Sequence, residues 1–242
     1  MSYLDVLSFS IRGSLAKLYH VVNFVDKVNY YRTTILRLYL SKIYIHGNGL
    51  EIGALNRPLR VFNGAHVLYV DRKNLIDLRN LFSELKDSLV GVDIVDDGEH
   101  LNTIPDNSAD FIIANHFLEH CEDPIMTIKT FFRVLRRDGV LFLTVPDKRH
   151  TFDKDRNLTS LEHLIRDHLD GPIVSREDHF KDYEEHVTHK PMLRDAKIHF
   201  HVWTGNEVRE LLAYMERDVG LRISTVKSVN AGVENIFLVK KL

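Results

Sequence analysis

Residues 47–146 alternate between short apolar runs and segments whose apolar residues recur at helical spacing. The runs with strand character read GLEIGA, AHVLYVD, LVGVDIVDD, ADFIIAN and VLFLTVP, and the helical segments read NLIDLRNLFSELK and EDPIMTIKTFFRVLRRDG. Such an alternation is typical of parallel strands in one sheet, with the intervening helices packed on its two faces. The sequence therefore predicts an α/β fold with a doubly wound, Rossmann-like sheet.

The second helical segment carries signals for both of its ends. Asp123 is placed to cap the N-terminus, and Pro124 suits the first helical position. Gly139 follows as a stop signal, so the predicted helix extends nearly to that glycine. Its last turn is then basic, and positive charge is favourable at the C-terminal end of the helix dipole. The basic residues near that end are Arg133, Arg136 and Arg137.

The end of the chain predicts one more helix and two more strands. TGNEVRELLAYMERDVG has helical periodicity, with Thr204 as its N-cap and Gly220 as its stop. LRISTVKSV and ENIFLVKKL follow as strands, and the link NAGV between them is short enough for a hairpin. Added to the five earlier strands, this hairpin predicts a seven-stranded sheet that is mostly parallel with an antiparallel C-terminal end.

The length of 242 residues suits one domain of this class. We divide the single domain 1–242 into four parts. These are an N-terminal helical arm (1–46), a ligand-binding core (47–146), an inserted lid after the fifth strand (147–203), and a C-terminal helix and hairpin (204–242).

The arm has apolar residues at helical spacing from about Leu15 to Ile45, with six Lys/Arg and two Asp, a net charge of +4. A basic amphipathic helix could lie on a membrane surface. Apolar and basic positions are mixed in this arm, which favours packing on the main domain.

Composition narrows the class of protein. The net charge of −2 provides no global field that would attract nucleic acid, so no nucleic-acid partner is expected. The single cysteine, Cys121, agrees with a reducing, cytoplasmic location. Neither a secretory signal nor an apolar run long enough for an integral membrane segment is recognisable. The sequence leaves open whether the chain forms a homodimer.

The turn after the first strand is the first candidate ligand site. It has one glycine, Gly53, where a dinucleotide fingerprint has three, and Asp71 follows 18 residues later (71 − 53). In open α/β sheets ligands bind at the carboxyl ends of the strands, which selects Gly53, Asp71, Asp97 and Asn115. An acid at the end of the second strand can accept from both ribose hydroxyls. The missing glycines argue against a pyrophosphate and favour a cofactor without phosphate.

Several motifs in order resemble the class I SAM-dependent methyltransferases, in particular the methyltransferase type 11-like branch. LEIGA matches its first motif, E-x-G, and VLYVD matches its second. NHFLEH carries its fourth motif, H-x-L-E-H, and FFRVLRRDGVLFLTVPD matches the helix and fifth strand. The resemblance covers residues 49–147. It implies an enzyme that transfers a methyl group from S-adenosyl-L-methionine (SAM) and releases S-adenosyl-L-homocysteine.

The resemblance also implies roles for individual residues. Glu51 and Gly53 border the methionine portion, and Asp71 holds the ribose. Asp97 accepts from the adenine amino group, while Gly98 donates a backbone N–H. Asn115 and His116 line the channel where methyl group and acceptor meet. Ala54, Arg57 and Arg72 complete the expected cofactor set.

The sequence departs from the family between the first two strands. Only twelve residues separate Gly53 from His66, and Pro58 is one of them, so the usual first helix must be very short. Arg57 occupies space near the SAM carboxylate; pairing with that carboxylate and a structural salt bridge both remain open.

Candidate catalytic residues lie at the mouth of this site. A hydroxyl acceptor needs a proton acceptor, and histidine suits that role near neutral pH. His116 is the preferred base. Glu119 and His120 could instead orient the loop by hydrogen bonds, and Asp147 adds a carboxylate from the next strand end.

The insertion holds eight of the 14 histidines. His186, His189, His199 and His201 could offer metal ligands, but no cysteine pair or known spacing supports a site, so we expect no metal. The insertion is instead interpreted as an acceptor-binding lid for a polar small molecule or glycan, methylated at oxygen or nitrogen. Its arginines suit an anionic or hydroxylated acceptor. The expected acceptor-binding residues are Arg149, His150, Arg176 and Trp203, with Arg156 and Arg166 adding positive charge.

Two other classes remain open from the sequence. One is a module that binds SAM or a nucleotide without chemistry, and the other is an NAD(P)-dependent oxidoreductase. Both are less favoured, because the site is intact, its mouth is densely polar, and the second and third fingerprint glycines are missing. Family members of this shape are often associated with surface-polysaccharide biosynthesis.

Overall fold

The computed structural model describes residues 28–29 and 31–242. The part of the predicted N-terminal arm around Leu15 to Val22 lies outside the described residues. The described part of the arm forms a helix, α1, over residues 31–44.

The centre of the fold is a seven-stranded sheet. Its order is β3-β2-β1-β4-β5-β7-β6. The first five strands run parallel, and β7 pairs antiparallel with both β5 and β6. This confirms the predicted Rossmann-like sheet with its antiparallel C-terminal hairpin. The strands are β1 (Asn48–Ile52), β2 (His66–Asp71), β3 (Ile94–Val95), β4 (Ala109–Asn115), β5 (Leu135–Pro146), β6 (Ile223–Asn230) and β7 (Glu234–Lys241).

Helices cover both faces of the sheet. Along β4 the buried side chains alternate, so that Ile112 and Ala114 face one layer while Phe111 and Ile113 face the other. The first layer includes apolar residues of α3 (Pro124–Val134), α4 (Leu161–Asp170) and α6 (Gly205–Arg217), and the second includes Leu40 of α1. This is the packing expected for a buried parallel strand. The remaining helices are α2 (Leu75–Leu81) and α5 (Arg176–Tyr183).

Both predicted helix N-caps are present. The Asp123 side chain accepts a hydrogen bond from Met126 N, with Pro124 in the first turn of α3. Thr204 and Glu207 form a reciprocal capping box at the start of α6. The directions in which α3 and α6 leave the sheet are therefore set by local sequence.

The predicted C-terminal end of α3 is wrong. The helix ends at Val134, and β5 already begins at Leu135, so Arg136 and Arg137 lie on extended chain. Leu135 pairs with Ala109 of β4, and Ser108 N donates to the Val134 carbonyl. Because the backbone groups at Val134 and Leu135 bond to β4 and the residue before it, the helix ends there. Arg136 and Arg137 therefore lie beyond the last turn of α3 and not within it.

Two other predicted elements are shorter than the sequence suggested. The helix after β2 breaks at Phe82 and continues only as a short 3-10 turn, Ser83–Leu85. The third strand pairs over two residues only, Val70 with Ile94 and Asp71 with Val95. Residues 53–65 contain no helix, consistent with the short connection predicted there.

Residues 147–203 fold as short elements around α4 and α5. A π-helical turn, Glu184–Thr188, follows α5, and residues 197–203 return as irregular chain towards α6. The backbone N–H groups of Phe200 and His201 both donate to the Glu119 carbonyl. The insertion is thereby attached to the loop that follows β4.

None of the helices that the structure describes is long and apolar enough to cross a lipid bilayer.

Candidate active site

A cavity of about 370 Å³ opens at the carboxyl ends of the parallel strands. This is the edge at which open α/β sheets bind ligands. Its volume falls in the range of small-molecule and cofactor sites. From the predicted site, the cavity is lined by Gly53, Asp71, Arg72, Asp97, Gly98, His116 and His120.

Asp71 ends β2 at the wall of this cavity. Its Oδ1 accepts from Lys73 N at 3.2 Å. Burial raises the pKa of Asp71, and the neighbouring basic residues only partly offset this. A desolvated carboxylate that faces a cavity has unused acceptor capacity for a ligand hydroxyl.

Asp97 and Gly98 form the adjacent wall. The Asp97 side chain is about half exposed, and its Oδ2 lies 3.1 Å from Nδ1 of His100. Beneath it, the buried Asp96 carboxylate accepts from the backbone and hydroxyl of Thr103. A Cβ on Gly98 would lie 2.5 Å from Ile52 Cγ2 and 2.6 Å from Phe117 Cζ. Only glycine fits at this position without displacing its neighbours.

Glu51 lies under the cavity, fully buried on β1. Its carboxylate accepts from Leu59 N at 2.9 Å and from Asn115 Nδ2 at 3.2 Å. Burial raises the pKa of Glu51 to about 7, although both hydrogen bonds act in the opposite direction. Glu51 and Asn115 are thus adjacent, but neither is among the residues that line the cavity.

His116 is held by a carboxylate from the far end of the chain. It follows β4 in a left-handed backbone conformation with φ of 49°, and its Nε2 lies 2.7 Å from Glu234 Oε2. Glu234 is 1% exposed and is bound through both oxygens by the Arg37 guanidinium of α1. Burial alone would raise the pKa of Glu234, but hydrogen bonds from His116 and Arg37 outweigh it and lower that pKa.

Glu119 lies on the other side of His116. Its Oε1 is 3.5 Å from His116 Nδ1, beyond good hydrogen-bond geometry. The carboxylate is completely buried, and neither oxygen has a hydrogen-bond partner among the described residues. Burial raises the pKa of Glu119. A buried carboxylate without donors is costly unless it is protonated or binds a ligand.

His120 Nδ1 donates a hydrogen bond to the Ile198 carbonyl oxygen at 2.9 Å. Burial lowers its pKa to about 4, so its imidazole is neutral near pH 7. Ligand atoms of His120, Glu119 and His199 all lie within 4.8 Å of one another. The HFLEH loop is therefore attached to the insertion through its side chains as well as its backbone.

The structure argues against the predicted catalytic role of Asp147. Its buried carboxylate accepts from Arg149 Nε at 2.8 Å and Nη2 at 2.6 Å, and from Asn235 Nδ2 at 3.3 Å. Burial would raise the pKa of Asp147, but the bonds from Arg149 outweigh it and lower that pKa. A carboxylate occupied in this way is a poor proton acceptor, and Asp147 instead anchors the start of the insertion.

The predicted acceptor-binding residues do not form one group. Trp203 is 1% exposed within the main core, so its indole ring is not presented to a ligand. Arg156, also buried, is bound by Asp153 and Asp182. Arg176 pairs with Glu122 at 2.5 Å. Arg149 and His150 are the exposed members of the set.

The cavity is lined by residues of the core and by one residue of the insertion. Lys197, from the insertion, lines the cavity beside Glu99 and His120. Arg57, in contrast, is exposed and does not line it, and its backbone N–H closes a turn onto Ala54. The insertion therefore contributes directly to a cavity that the sequence assigned to residues 47–146 alone.

Sequence reasoning missed Glu234, Arg37 and Lys197. Glu234 begins a strand that is otherwise apolar, and a charged residue at a buried strand end was an available signal. Arg37 and Lys197 carry no local signal, because their partners are distant in the sequence.

A Rossmann-like sheet in the order 3-2-1-4-5-7-6, with a cavity and acidic residues at its carboxyl edge, defines the class of SAM-dependent methyltransferases. The chain belongs to the family described as methyltransferase domain, whose model matches residues 33–221, well over half of the chain. It is thus an enzyme of the SAM-dependent methyltransferase class, and the binding-module and oxidoreductase alternatives are set aside.

Two of the similar solved structures have TM-scores above 0.5 and show the same fold at low identity. One described as a putative Zn-dependent alcohol dehydrogenase from Rhodobacter sphaeroides aligns with a TM-score of 0.53 and 15% identity over 90% of each chain. A complex of the Haloferax volcanii Trm112 methyltransferase activator and a putative methyltransferase aligns at 0.51 and 14% identity, over 89% of this chain and 90% of that one. A SAM-dependent methyltransferase from Aquifex aeolicus gives 0.49 and 13% identity, with 86% and 89% covered. No curated protein sequence matches significantly.

Proposed function

We propose that this methyltransferase methylates oxygen or nitrogen of a polar small molecule or glycan, with His116 as proton acceptor for a hydroxyl. The observation that carries the proposal is the position of His116. It lines the cavity and is simultaneously held through Nε2 by Glu234, a buried carboxylate bound to Arg37.

The residues present fit the cofactor. SAM supplies a methyl group on a positively charged sulfur, together with a ribose and an adenine but no phosphate. We assign the ribose hydroxyls to Asp71, the adenine amino group to Asp97, and a ring nitrogen to the backbone N–H of Gly98. Asp71, Asp97 and Gly98 line one continuous cavity, and the space at Gly98 accommodates no Cβ. The methionine portion is assigned to Gly53 and Ala54, above Glu51.

His116 is arranged to take up a proton. Glu234 accepts from Nε2–H, which leaves Nδ1 with the free lone pair. The bonds from Arg37 keep Glu234 ionised, so that it stabilises the imidazolium formed after proton transfer. Such a pair resembles the orienting acid and histidine base of other transfer enzymes.

The polar character of the cavity mouth supports a hydrophilic acceptor. His116, His120 and Lys197 border it, and Arg149 and His150 are exposed on the adjoining segment after β5. Hydroxyls and anionic groups of sugars suit such side chains. This is consistent with a role in polysaccharide biosynthesis, and the single free Cys121 agrees with a cytoplasmic location.

Acceptor screening tests the proposal. Sugars, nucleotide sugars and small amines are incubated with the protein and SAM, and release of S-adenosylhomocysteine is measured. With a hydroxyl acceptor, His116→Ala should lower turnover at least about a hundredfold while SAM affinity changes little. His66→Ala, an exposed histidine at the opposite end of β2, is the matched control. Full activity of His116→Ala on a hydroxyl acceptor would refute the assigned base.

A further inference from the structure

Four side chains in the insertion converge away from the SAM cavity. His163 and Asp167 are one turn apart on α4, His179 lies on α5, and His201 lies on the returning chain. Asp167 and His201 are 2% and 1% exposed, and His179 is about nine-tenths buried. One ligand atom from each lies within 4.8 Å of all the others.

Three of these atoms have the spacing of metal ligands. His163 Nε2 is 3.1 Å from Asp167 Oδ2 and 3.2 Å from His179 Nε2, and His179 Nε2 is 3.4 Å from Asp167 Oδ2. Tetrahedral zinc with bonds of about 2.0–2.1 Å separates its ligand atoms by about 3.4 Å. The three atoms need to move only a few tenths of an ångström to enclose an ion.

Hydrogen bonds alone do not account for this arrangement. If both imidazoles donate to Asp167, two N–H groups face each other across the 3.2 Å between His163 and His179. If one imidazole donates to the other, the carboxylate receives a single donor from the pair. The Asp167 carboxylate is 2% exposed, and burying a carboxylate is costly unless donors or positive charge face it.

His201 supplies the second, independent observation. Its Nδ1 is buried and has no hydrogen-bond partner among the residues that the structure describes. Its Nε2 lies 3.4 Å from the Glu122 carbonyl oxygen, which assigns the proton to Nε2 and leaves a bare lone pair on Nδ1. An imidazole fixed by a backbone carbonyl on one nitrogen and open on the other is characteristic of a metal ligand.

We infer that His163, Asp167, His179 and His201 bind one divalent transition-metal ion, with zinc as the best match. Three imidazoles and one carboxylate form a borderline ligand set that suits zinc and disfavours magnesium or calcium. Four protein ligands fill a tetrahedral shell, so the ion has a structural role. A second cavity of about 280 Å³ borders His163 and His179 and provides an entry path.

This site revises the grouping that the sequence suggested. His186 lies 3.2 Å from Asp182, and His199 lies 2.6 Å from Asp153. Of the four histidines first considered, His201 alone belongs to the cluster. The ion would link α4, α5 and the returning chain, whose backbone N–H groups at Phe200 and His201 hold Glu119. Metal binding would therefore order the insertion against the HFLEH loop.

The test uses the full chain, purified without a histidine tag so that no ion is introduced by the affinity column. Metal analysis should find one zinc per chain, and cobalt substituted for zinc should give the visible absorption of tetrahedral Co²⁺. His163→Ala/His179→Ala should weaken zinc binding by well over tenfold. His186→Ala/His189→Ala, in the same insertion, should keep it. Chelation should lower the melting temperature of the wild type but not of the His163/His179 variant.

Asp167→Asn keeps the side-chain size and replaces the double variant if that variant does not fold. It should also weaken zinc binding. The inference is overturned if the metal-free wild-type chain takes up no zinc in a calorimetric titration. It is also overturned if zinc persists in the His163/His179 variant but is lost from His120→Ala/His199→Ala, since the ion would then bind beside Glu119.

Discussion

His116 Nε2 lies 2.7 Å from Glu234 Oε2, a carboxylate 118 residues further along the chain. We expect Glu234→Gln to lower turnover on a hydroxyl acceptor by about 10²-fold, because the histidine loses its counter-charge and the glutamine NH2 group must face an N–H donor of Arg37 or His116. SAM affinity should stay within a few-fold. Comparison of kcat and KM for Glu234→Gln, Glu234→Asp and the exposed control Glu216→Gln measures this. Partial rescue by Asp supports the role, and an unchanged kcat in Glu234→Gln contradicts it.

Asp71→Ala should weaken SAM binding by well over tenfold. On the proposed assignment, the change removes charge-assisted hydrogen bonds to two ribose hydroxyls, a loss of about 2 to 4 kcal/mol. Titration calorimetry measures the affinity, with Asp87→Ala as an exposed control nearby. If folded Asp71→Ala binds SAM as tightly as the wild type, the ribose assignment is wrong.

Gly98→Ala should both destabilise the protein and impair SAM binding. The new methyl group would meet Ile52 and Phe117 at 2.5 and 2.6 Å, and overpacking of this kind costs about 1–3 kcal/mol. Gly91→Ala is a matched control, because a Cβ there meets nothing within 4 Å. Denaturant unfolding and SAM titration should separate the two variants, and equal behaviour would argue against tight packing at this wall.

Glu51 should make stability fall as pH rises. Its pKa is raised from 4.5 to about 7 in the folded state, so the folded protein retains a proton that the unfolded chain has released. The resulting stabilisation is complete below about pH 4.5 and is lost as pH rises to about 7. Relative to Glu51→Gln, the wild type should lose up to about 3 kcal/mol over that window. Denaturant unfolding without SAM at several pH values checks this; parallel curves for wild type and variant would contradict it, and Glu84→Gln is the exposed control.

Signals confined to a few residues predicted the fold well. Asp123 with Pro124, and Thr204 ahead of Glu207, mark helix starts that depend only on neighbouring backbone groups. The alternating apolar runs predicted each strand of the sheet, because a buried strand must be apolar wherever it pairs. Gly53, Asp71 and Asp97, which line the cavity, were identified because strand ends meet at one edge of the sheet.

Features decided by distant partners could not be predicted in this way. The chain near Arg136 has helical periodicity, yet pairing with β4 extends it from Leu135 onward. His163 and Asp167 are four residues apart, and this spacing was a usable signal for a shared face on a helix. Nothing in the sequence near His179 or His201 indicates that these residues lie beside His163 and Asp167. Only the folding of the insertion brings α5 and the returning chain to α4.

The contacts of Arg37 with Glu234 join two segments that are far apart in the sequence. Arg37 lies on α1, ahead of the first strand, whereas Glu234 begins β7, the strand that pairs with both β5 and β6. The residues that line the cavity lie between positions 52 and 120, except for Lys197. The wall of the cavity and the support of His116 therefore come from separate stretches of the chain, so that one can change in sequence while the other stays the same.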